Sequence, residues 1–300
     1  MNNGFSRRIA VWIHTVRPGA LDAACQFIEM LPGEVECLVR PEARELIQAA
    51  IPQAPLADIT PQSLPSAEVV VVFGGDGTIL RAAERALEAD IPVLGVNLGH
   101  VGFLAELEMS QMDELVDHVV RGDFVHESRL TIEVTVYRDG DPTPLWRTVA
   151  VNEVSLEKAA RMKMIDVMVS IDNLPVSRWA CDGLLVSTPT GSTAYAFSAG
   201  GSVMWPQLEA YQVVPLAAHA LFARPMVLAP SSAVRLELLG EVPAVLTCDG
   251  SRSIEVEVGS RLEIARYHHD LTVARLSEQP FTSRLVKKFA LPIEGWRGRG

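Results

Sequence analysis

Short apolar runs alternate with amphipathic stretches through the first 120 residues. Ile9–His14 reads as a buried strand, Ala20–Met30 as a helix and Val35–Val39 as a second strand. Pro41, whose fixed φ and missing N–H suit a first helical position, opens a helix over Glu42–Ala50. Val69–Phe73 is an unbroken run of four valines and a phenylalanine, the pattern of a central parallel strand covered on both faces. Glycines break the run at Gly74–Thr78, and helical spacing resumes through Ile79, Leu80, Ala83 and Leu87 to Ala89. Pro92–Val96 is another strand, and Ser110–Val120 another helix with Ser110 as its N-cap. The alternation predicts a doubly wound, Rossmann-like α/β domain over residues 1–125.

From about residue 127 the period changes. Leu130, Ile132, Val134 and Val136 alternate with polar residues up to an Asp139-Gly140 turn. Val234, Leu236 and Leu238 do the same, as do Ile254, Val256 and Val258 after Asp249-Gly250. Period-two runs bounded by Asp-Gly turns predict antiparallel strands with one wet face, so the second domain is β-rich.

Composition narrows the class. Hydrophobic residues make up 48% and charged residues 21%, as in globular chains, and no apolar stretch approaches the roughly 20 residues of a spanning helix. The N-terminal residues carry no leader pattern, and the Trp296–Gly300 tail is expected to fray. Cys25, Cys37, Cys181 and Cys248 stand far apart, against a zinc site or disulfide framework and for reduced, cytoplasmic thiols. Lys and Arg number 26 against 37 Asp and Glu, a net charge of −11. So acidic a chain disfavours nucleic acid and anionic lipid, yet a locally basic cleft can still admit a phosphorylated metabolite.

Gly74-Gly75-Asp76-Gly77-Thr78 sits at a strand-to-helix turn. Glycines there let the backbone approach a ligand, and the N–H groups of the helix start favour an anion. A carboxylate within such a loop repels phosphate unless it meets Mg²⁺ or takes a hydroxyl proton, and both belong to phosphoryl transfer. The third glycine of G-x-G-x-x-G is missing and no G-x-x-x-x-G-K-[ST] occurs. A plain turn with Asp76 capping the helix is the competing reading.

A second cluster runs Asp182-Gly183-Leu184-Leu185-Val186-Ser187-Thr188-Pro189-Thr190-Gly191-Ser192-Thr193-Ala194-Tyr195. Its hydroxyls and glycine N–H groups can line a pocket, with Tyr195 offering a face for a base, while capping of a helix near Thr193 explains part of it. Asn152-Glu153, ending the Thr148–Val151 run, can grip sugar hydroxyls, although such a pair is usually solvated.

In this order the three clusters resemble the NAD kinase family. Val96–Leu104 and Ser198-Ala199-Gly200-Gly201 extend the likeness, and the first loop is shared with diacylglycerol and sphingosine kinases. The resemblance implies transfer of the ATP γ-phosphoryl, with Mg²⁺ held mainly by the ATP phosphates, to the 2′-hydroxyl of the adenosine ribose of NAD, giving NADP. Asp76 is then the general base, Gly77 approaches the substrate by its backbone and Arg81 neutralises phosphate. Asn152 and Glu153 hold the adenosine end. Thr193, Ala194 and Tyr195 line the base pockets, with Ala196 and Phe197 following. Asp182 and Ser198 lie by the nicotinamide, in a homodimer or homotetramer. Ala180 stands where some relatives place Arg, Ser251 where they place Gln, and Lys163 where they place a ligand-contacting side chain. The implied fold is the α/β domain, a β-sandwich NAD-binding domain over 126–275, and a segment 276–300 returning to the first domain.

His268-His269-Asp270 reads as strand residues rather than a metal cluster, Ser155–Lys158 as an accidental S-x-x-K, His219 as a core or interface histidine, and Met162 and Met164 as strand packing. Two other functions compete: a lipid kinase of the diacylglycerol type, and a non-catalytic dinucleotide sensor or oxidoreductase. The Asp182–Tyr195 loop opposes the first, and Asp76 in the phosphate loop opposes the second.

Overall fold

The β-branched runs of the first hundred residues become strands of one sheet. A computed structural model describes residues 6–17, 19–98, 102–107 and 111–292. The expectations for the N-terminal residues Met1–Phe5, for Gly99–Val101, for Ser110 and for the Trp296–Gly300 tail fall outside the described residues. In chain order the first unit holds β1 (Arg7–Ile13), α1 (Ala20–Met30), β2 (Val35–Val39), α2 (Pro41–Ala50), β3 (Leu56–Asp58), β4 (Val70–Phe73), α3 (Asp76–Ala89), β5 (Val93–Val96), β6 (Ala105–Leu107), α4 (Met112–Arg121) and β7 (Val125–Arg129). All of β4 is buried, as a strand covered on both faces must be. Ile9, Val11, Val71 and Phe73 pack with Ala24 and Phe27 of α1 and Ile47 of α2 in one apolar core.

The second unit follows with β8 (Ile132–Tyr137), β9 (Pro144–Ala150), β10 (Glu153–Lys158), β11 (Ile165–Ile171), β12 (Leu174–Cys181), β13 (Gly183–Ser187), α5 (Tyr195–Ser198), β14 (Tyr211–Leu216), β15 (Met226–Leu228), β16 (Val234–Leu239), β17 (Ala244–Cys248), β18 (Arg252–Val256) and β19 (Arg261–Arg266). Two six-stranded sheets form, in the orders β15-β14-β13-β10-β17-β18 and β12-β11-β16-β19-β8-β9. Alternate residues such as Val134, Val167 and Leu236 from one and Val154, Leu184 and Leu246 from the other share a core. Trp179 is wholly buried there, its indole N–H donating to the Phe222 carbonyl at 3.0 Å.

The chain then returns. β20 (Leu271–Arg275) enters the first sheet, whose order is β3-β2-β1-β4-β5-β20-β7 with β6 also on β5, and α6 (Phe281–Phe289) follows. Strand order reverses between β1 and β4, which run parallel with Ile13 beside Phe73. This is the topological switch point, where sheets of this kind open a crevice at the carboxyl ends of their strands.

The compact units divide at 128/129 and 270/271, rather than at the expected 125/126 and 275/276. Hydrogen bonding decides this, because β7 and β20 both belong to the first sheet. Other expectations are corrected. Met162 and Met164 are exposed between β10 and β11, His219 is exposed, which excludes the core reading and leaves the interface one, and His268–Asp270 lies in the turn after β19 rather than on a strand. The fourth helix begins at Met112, with Gln111 at its cap position. No described helix is long and apolar enough to cross a membrane, and all four cysteines are buried and outside any disulfide.

Arg275 on β20 and Glu127 on β7 form a buried pair, Nε to Oε2 at 3.0 Å, with Arg284 of α6 at 3.7 Å. Removing one partner of such a pair strands the other charge. Glu127→Gln is therefore expected to lower unfolding free energy by about 3 kcal/mol in urea titrations; an unchanged midpoint would show that the pair does not hold β20 in place.

Candidate active site

The helix start falls three residues earlier than expected, at Asp76, with Gly75 extended at the cap position and no side-chain cap. Asp76 therefore does not tie off its helix by capping. Its two oxygens instead accept backbone N–H groups from another loop, Phe103 to Oδ2 at 3.1 Å and Leu104 to Oδ1 at 3.2 Å. Gly102 is required beside them, since a Cβ there would collide with the Asp76 carboxylate. On the far side of the same peptides, Arg275 donates to the Leu104 carbonyl at 3.2 Å while its Nε rests on Glu127. The carboxylate is oriented, and with about four lone-pair sites it keeps acceptor capacity for a further hydrogen. A Cβ on Gly77 would meet nothing, so that stretch of backbone faces open space. Arg81, four residues on, is exposed and has no partner among the described residues.

In the second unit the chain leaves β9 in one sheet and enters β10 in the other through Val151 and Asn152. That switch takes two N–H groups out of the strand ladders, and a buried amide must find an acceptor. Asp249, buried in the turn between β17 and β18, supplies it. Its carboxylate accepts Val151 N–H at 3.1 Å, Asn152 N–H at 2.7 Å and Arg252 Nη2 at 2.7 Å. From the other side Thr188 Oγ1 donates to the Val151 carbonyl at 2.6 Å, and Thr188 N–H to that of Asn152 at 2.9 Å. Gly191 must be glycine, because a Cβ would overlap the Asn152 carbonyl.

Three buried oxygens at this corner have no partner among the described residues: Asn152 Oδ1, Glu153 Oε2 and Thr190 Oγ1. Such orphans are uncommon in folded chains and mark a place where a ligand or water completes the bonding. Burial, and then the charge of Asp249, push the Glu153 carboxyl up to about 8 against the pull of the Tyr195 N–H. For Asp249 burial also raises the pKa, opposed by the N–H groups it accepts and by Arg252. The N–H groups and Arg252 around Asp249 favour charge there, while Glu153 has only one such donor to oppose its burial.

Tyr195 opens α5 and donates its hydroxyl to Glu157 Oε2 at 3.0 Å; burial and that bond raise its pKa to about 12. Asp182 is paired with Lys158, and a cavity of about 360 Å³ is lined by Glu157, Lys158, Asp182 and Tyr195 together with Ala199 and Leu216. Thr193 and Ala194 are half-buried just before Tyr195, while Phe197 and Ser198 are exposed on α5. Ala196 points away from open space, packed against Leu185 and Val214. Lys163 is exposed in a loop, Ala180 lies on β12 with its carbonyl accepting the His219 N–H at 2.7 Å, and Ser251 is exposed at its turn. Arg275, Glu127 and Asp249 were missed as supporting residues. Asp249-Gly250 had been read as a turn, and nothing local in the sequence shows what the side chain reaches.

A family model for the ATP-NAD kinase N-terminal domain matches residues 28–124, and one for the ATP-NAD kinase C-terminal domain matches residues 151–276. The chain belongs to the NAD kinase family. Similar relatives include an NAD kinase of Cutibacterium acnes, 53% identical across 97% of this chain and 92% of its own length. That of Thermobifida fusca is 47% identical over 98% and 92%, and that of Mycobacterium tuberculosis 46% over 98% and 99%. Among solved structures, yeast NADH kinase complexed with NADH shares the fold, with a TM-score of 0.88 at 22% identity over 100% of this chain and 91% of that one. An NAD kinase from Archaeoglobus fulgidus in complex with ATP gives 0.71 at 25% over 95% and 100%.

The Glu153 shift has a sign that stability measurements read. Between the ordinary carboxyl value of 4.5 and about 8, the folded chain keeps a proton that the unfolded chain gives up. Stability should then fall as pH rises through that window and level off above it. Glu153→Gln removes this slope, so the variant is expected to be more stable than the parent at pH 9 in urea unfolding. Parallel pH dependences of the two proteins would rule out a protonated Glu153.

Proposed function

We infer that this chain is an NAD kinase, transferring the γ-phosphoryl of ATP to the 2′-hydroxyl of the adenosine ribose of NAD to give NADP. Its relatives are named for that activity over nearly its whole length. One observation carries the residue roles: Asp76 makes no cap to its own helix and is oriented by two N–H groups from another loop. A ribose hydroxyl does not ionise at neutral pH, and a positioned base contributes roughly 10²–10⁴-fold as the new bond forms. Asp76 takes that proton. Gly77 lets the backbone come close to the substrate, and the N–H groups at the start of α3 favour the phosphates. Arg81 adds positive charge.

Asn152, Glu153 and Thr190 receive the adenosine end, where their unpartnered oxygens offer two acceptors and, with Glu153 protonated, a donor. Thr193, Ala194 and Tyr195 line the base pockets. Asp182 and Ser198 stand by the nicotinamide. Phe197, exposed beside Ser198 on α5, lines the same pocket with Ala196 packed behind it, and Lys163, Ala180 and Ser251 add at most peripheral contacts through exposed or short side chains.

Mg²⁺ is taken with one or two carboxylates plus substrate phosphates. Asp76, the acid of the glycine loop, is oriented with acceptor capacity to spare and would share such a metal with the ATP phosphates. When bound there, the metal would supply charge neutralisation on the β- and γ-phosphate oxygens. A cytoplasmic homodimer or homotetramer completes the proposal, and sedimentation of the purified chain measures the second part.

Incubation with NAD and MgATP followed by chromatography is expected to show NADP, whereas phosphorylated diacylglycerol in its place would support the lipid kinase alternative. Asp76→Asn should cut kcat by about 10² or more with NAD affinity nearly intact. Unchanged turnover would remove Asp76 from the base role.

A further inference from the structure

The loop around Asp76 has a neighbour across the switch point that no motif points to. His14–Gly19 connects β1 to α1 and leaves the sheet beside the end of β4, with His14 N–H bonded to the Phe73 carbonyl at 3.2 Å. The His14 side chain folds back on this loop, its Nδ1 accepting the N–H groups of Val16 at 3.3 Å and Arg17 at 3.1 Å. Arg17 is thereby fixed at its backbone. Its guanidinium lies over the phosphate loop, with Nη1 3.0 Å from the point where a Cβ on Gly75 would stand. No carboxylate or carbonyl among the described residues takes the Arg17 side chain.

We propose that Arg17 is the residue that contacts the transferring phosphoryl group, reaching it from the β1 side of the crevice while Asp76 serves the acceptor hydroxyl. The proposal rests on the NAD kinase reading above and deepens it. A half-buried guanidinium with open donors beside a glycine backbone is built for phosphate oxygens, to which it binds in a two-pronged fashion. In the step itself, the ribose 2′ oxygen bonds to the γ-phosphorus as the bond from that phosphorus to the β,γ-bridging oxygen breaks. ADP leaves with the electron pair and the proton passes to Asp76. Arg17 exchanges no proton, since a guanidinium stays charged in proteins. It stabilises charge on the γ-phosphoryl oxygens, the kind of contact that dominates catalysis of this reaction. A side chain at Gly75 would press on the Arg17 guanidinium and shift it by a few tenths of an ångström.

The experiment compares the parent with Arg17→Ala and Arg17→Lys, by steady-state kinetics with NAD and MgATP and by calorimetric titration of NAD and ATP. For Arg17→Ala, kcat is expected to fall about 10²-fold or more, with ATP binding about fivefold weaker and NAD binding within threefold of the parent. Arg17→Lys should recover about tenfold of the lost kcat, and free guanidinium should raise turnover of Arg17→Ala in a saturable way, which a merely structural role does not produce. A kcat within threefold of the parent would overturn the assignment. So would a loss that neither lysine nor guanidinium relieves. Should the parent form no NADP, the functional reading fails separately, and ATP affinity still decides: weakening in Arg17→Ala supports a phosphate contact, and equal affinity excludes it.

Discussion

One carboxylate, bound by two peptide N–H groups from a loop nearly thirty residues away, sets the geometry of the first unit's functional end. Asp76 sits at the first residue of α3, where the aligned peptide dipoles already favour a negative charge. That preference alone would leave its side chain free to turn. The Phe103 and Leu104 amides remove that freedom, and Arg275 with Glu127 fixes those amides in turn. The last strand to join the sheet thus stands behind this carboxylate, so that β20 supports the orientation of the proposed base.

The second unit uses the same device for a different end. Where the chain crosses from one sheet to the other, the ladder cannot satisfy the backbone, and buried Asp249 collects the stranded amides. Because the backbone of the corner is satisfied from both sides, Asn152 Oδ1 and Glu153 Oε2 are not drawn into that bonding. They are left buried and unpartnered, which costs stability unless something else completes them. Three such atoms at one corner call for a ligand or ordered water to complete their bonding. The raised pKa of Glu153 follows from the same crowding of two acids in an apolar surround.

Much of this was legible in the sequence, and the misses have physical causes. The valine run, the Asp-Gly turns and the period-two strands lie where their patterns place them, because each is a local signal of burial or backbone conformation. Asp76 stands out as an acid within a glycine loop, whereas Asn152-Glu153 gains weight only from the family resemblance. The start of α3 was misread because glycine is a poor helix former, yet in a first turn its cost is small beside the bonds the turn makes. β7 and β20 fall in the first unit rather than the second because each pairs with a strand remote in sequence, which leaves no trace in either segment. Ala196 lies within a motif whose neighbours face open space, and only the packing shows that it turns inward. Arg17 follows a strand with no motif around it, so its importance comes wholly from what the fold sets beside it.

Net charge, finally, is a poor guide to what such a crevice attracts. The chain is acidic by eleven charges, yet fields from exposed groups fade within about 8 Å at physiological salt. What matters to a phosphate is the nearest cation and whether an acid already neutralises it. Arg7, Arg44, Arg147, Arg178 and Arg266 are each committed to a carboxylate. Arg17 and Arg81, on the two loops and helix starts flanking the switch point, are not. Their open guanidinium groups put positive charge near the Gly74–Thr78 loop of an acidic chain. An unpaired guanidinium against a glycine loop therefore says more about the ligand than the sum of all the charges does.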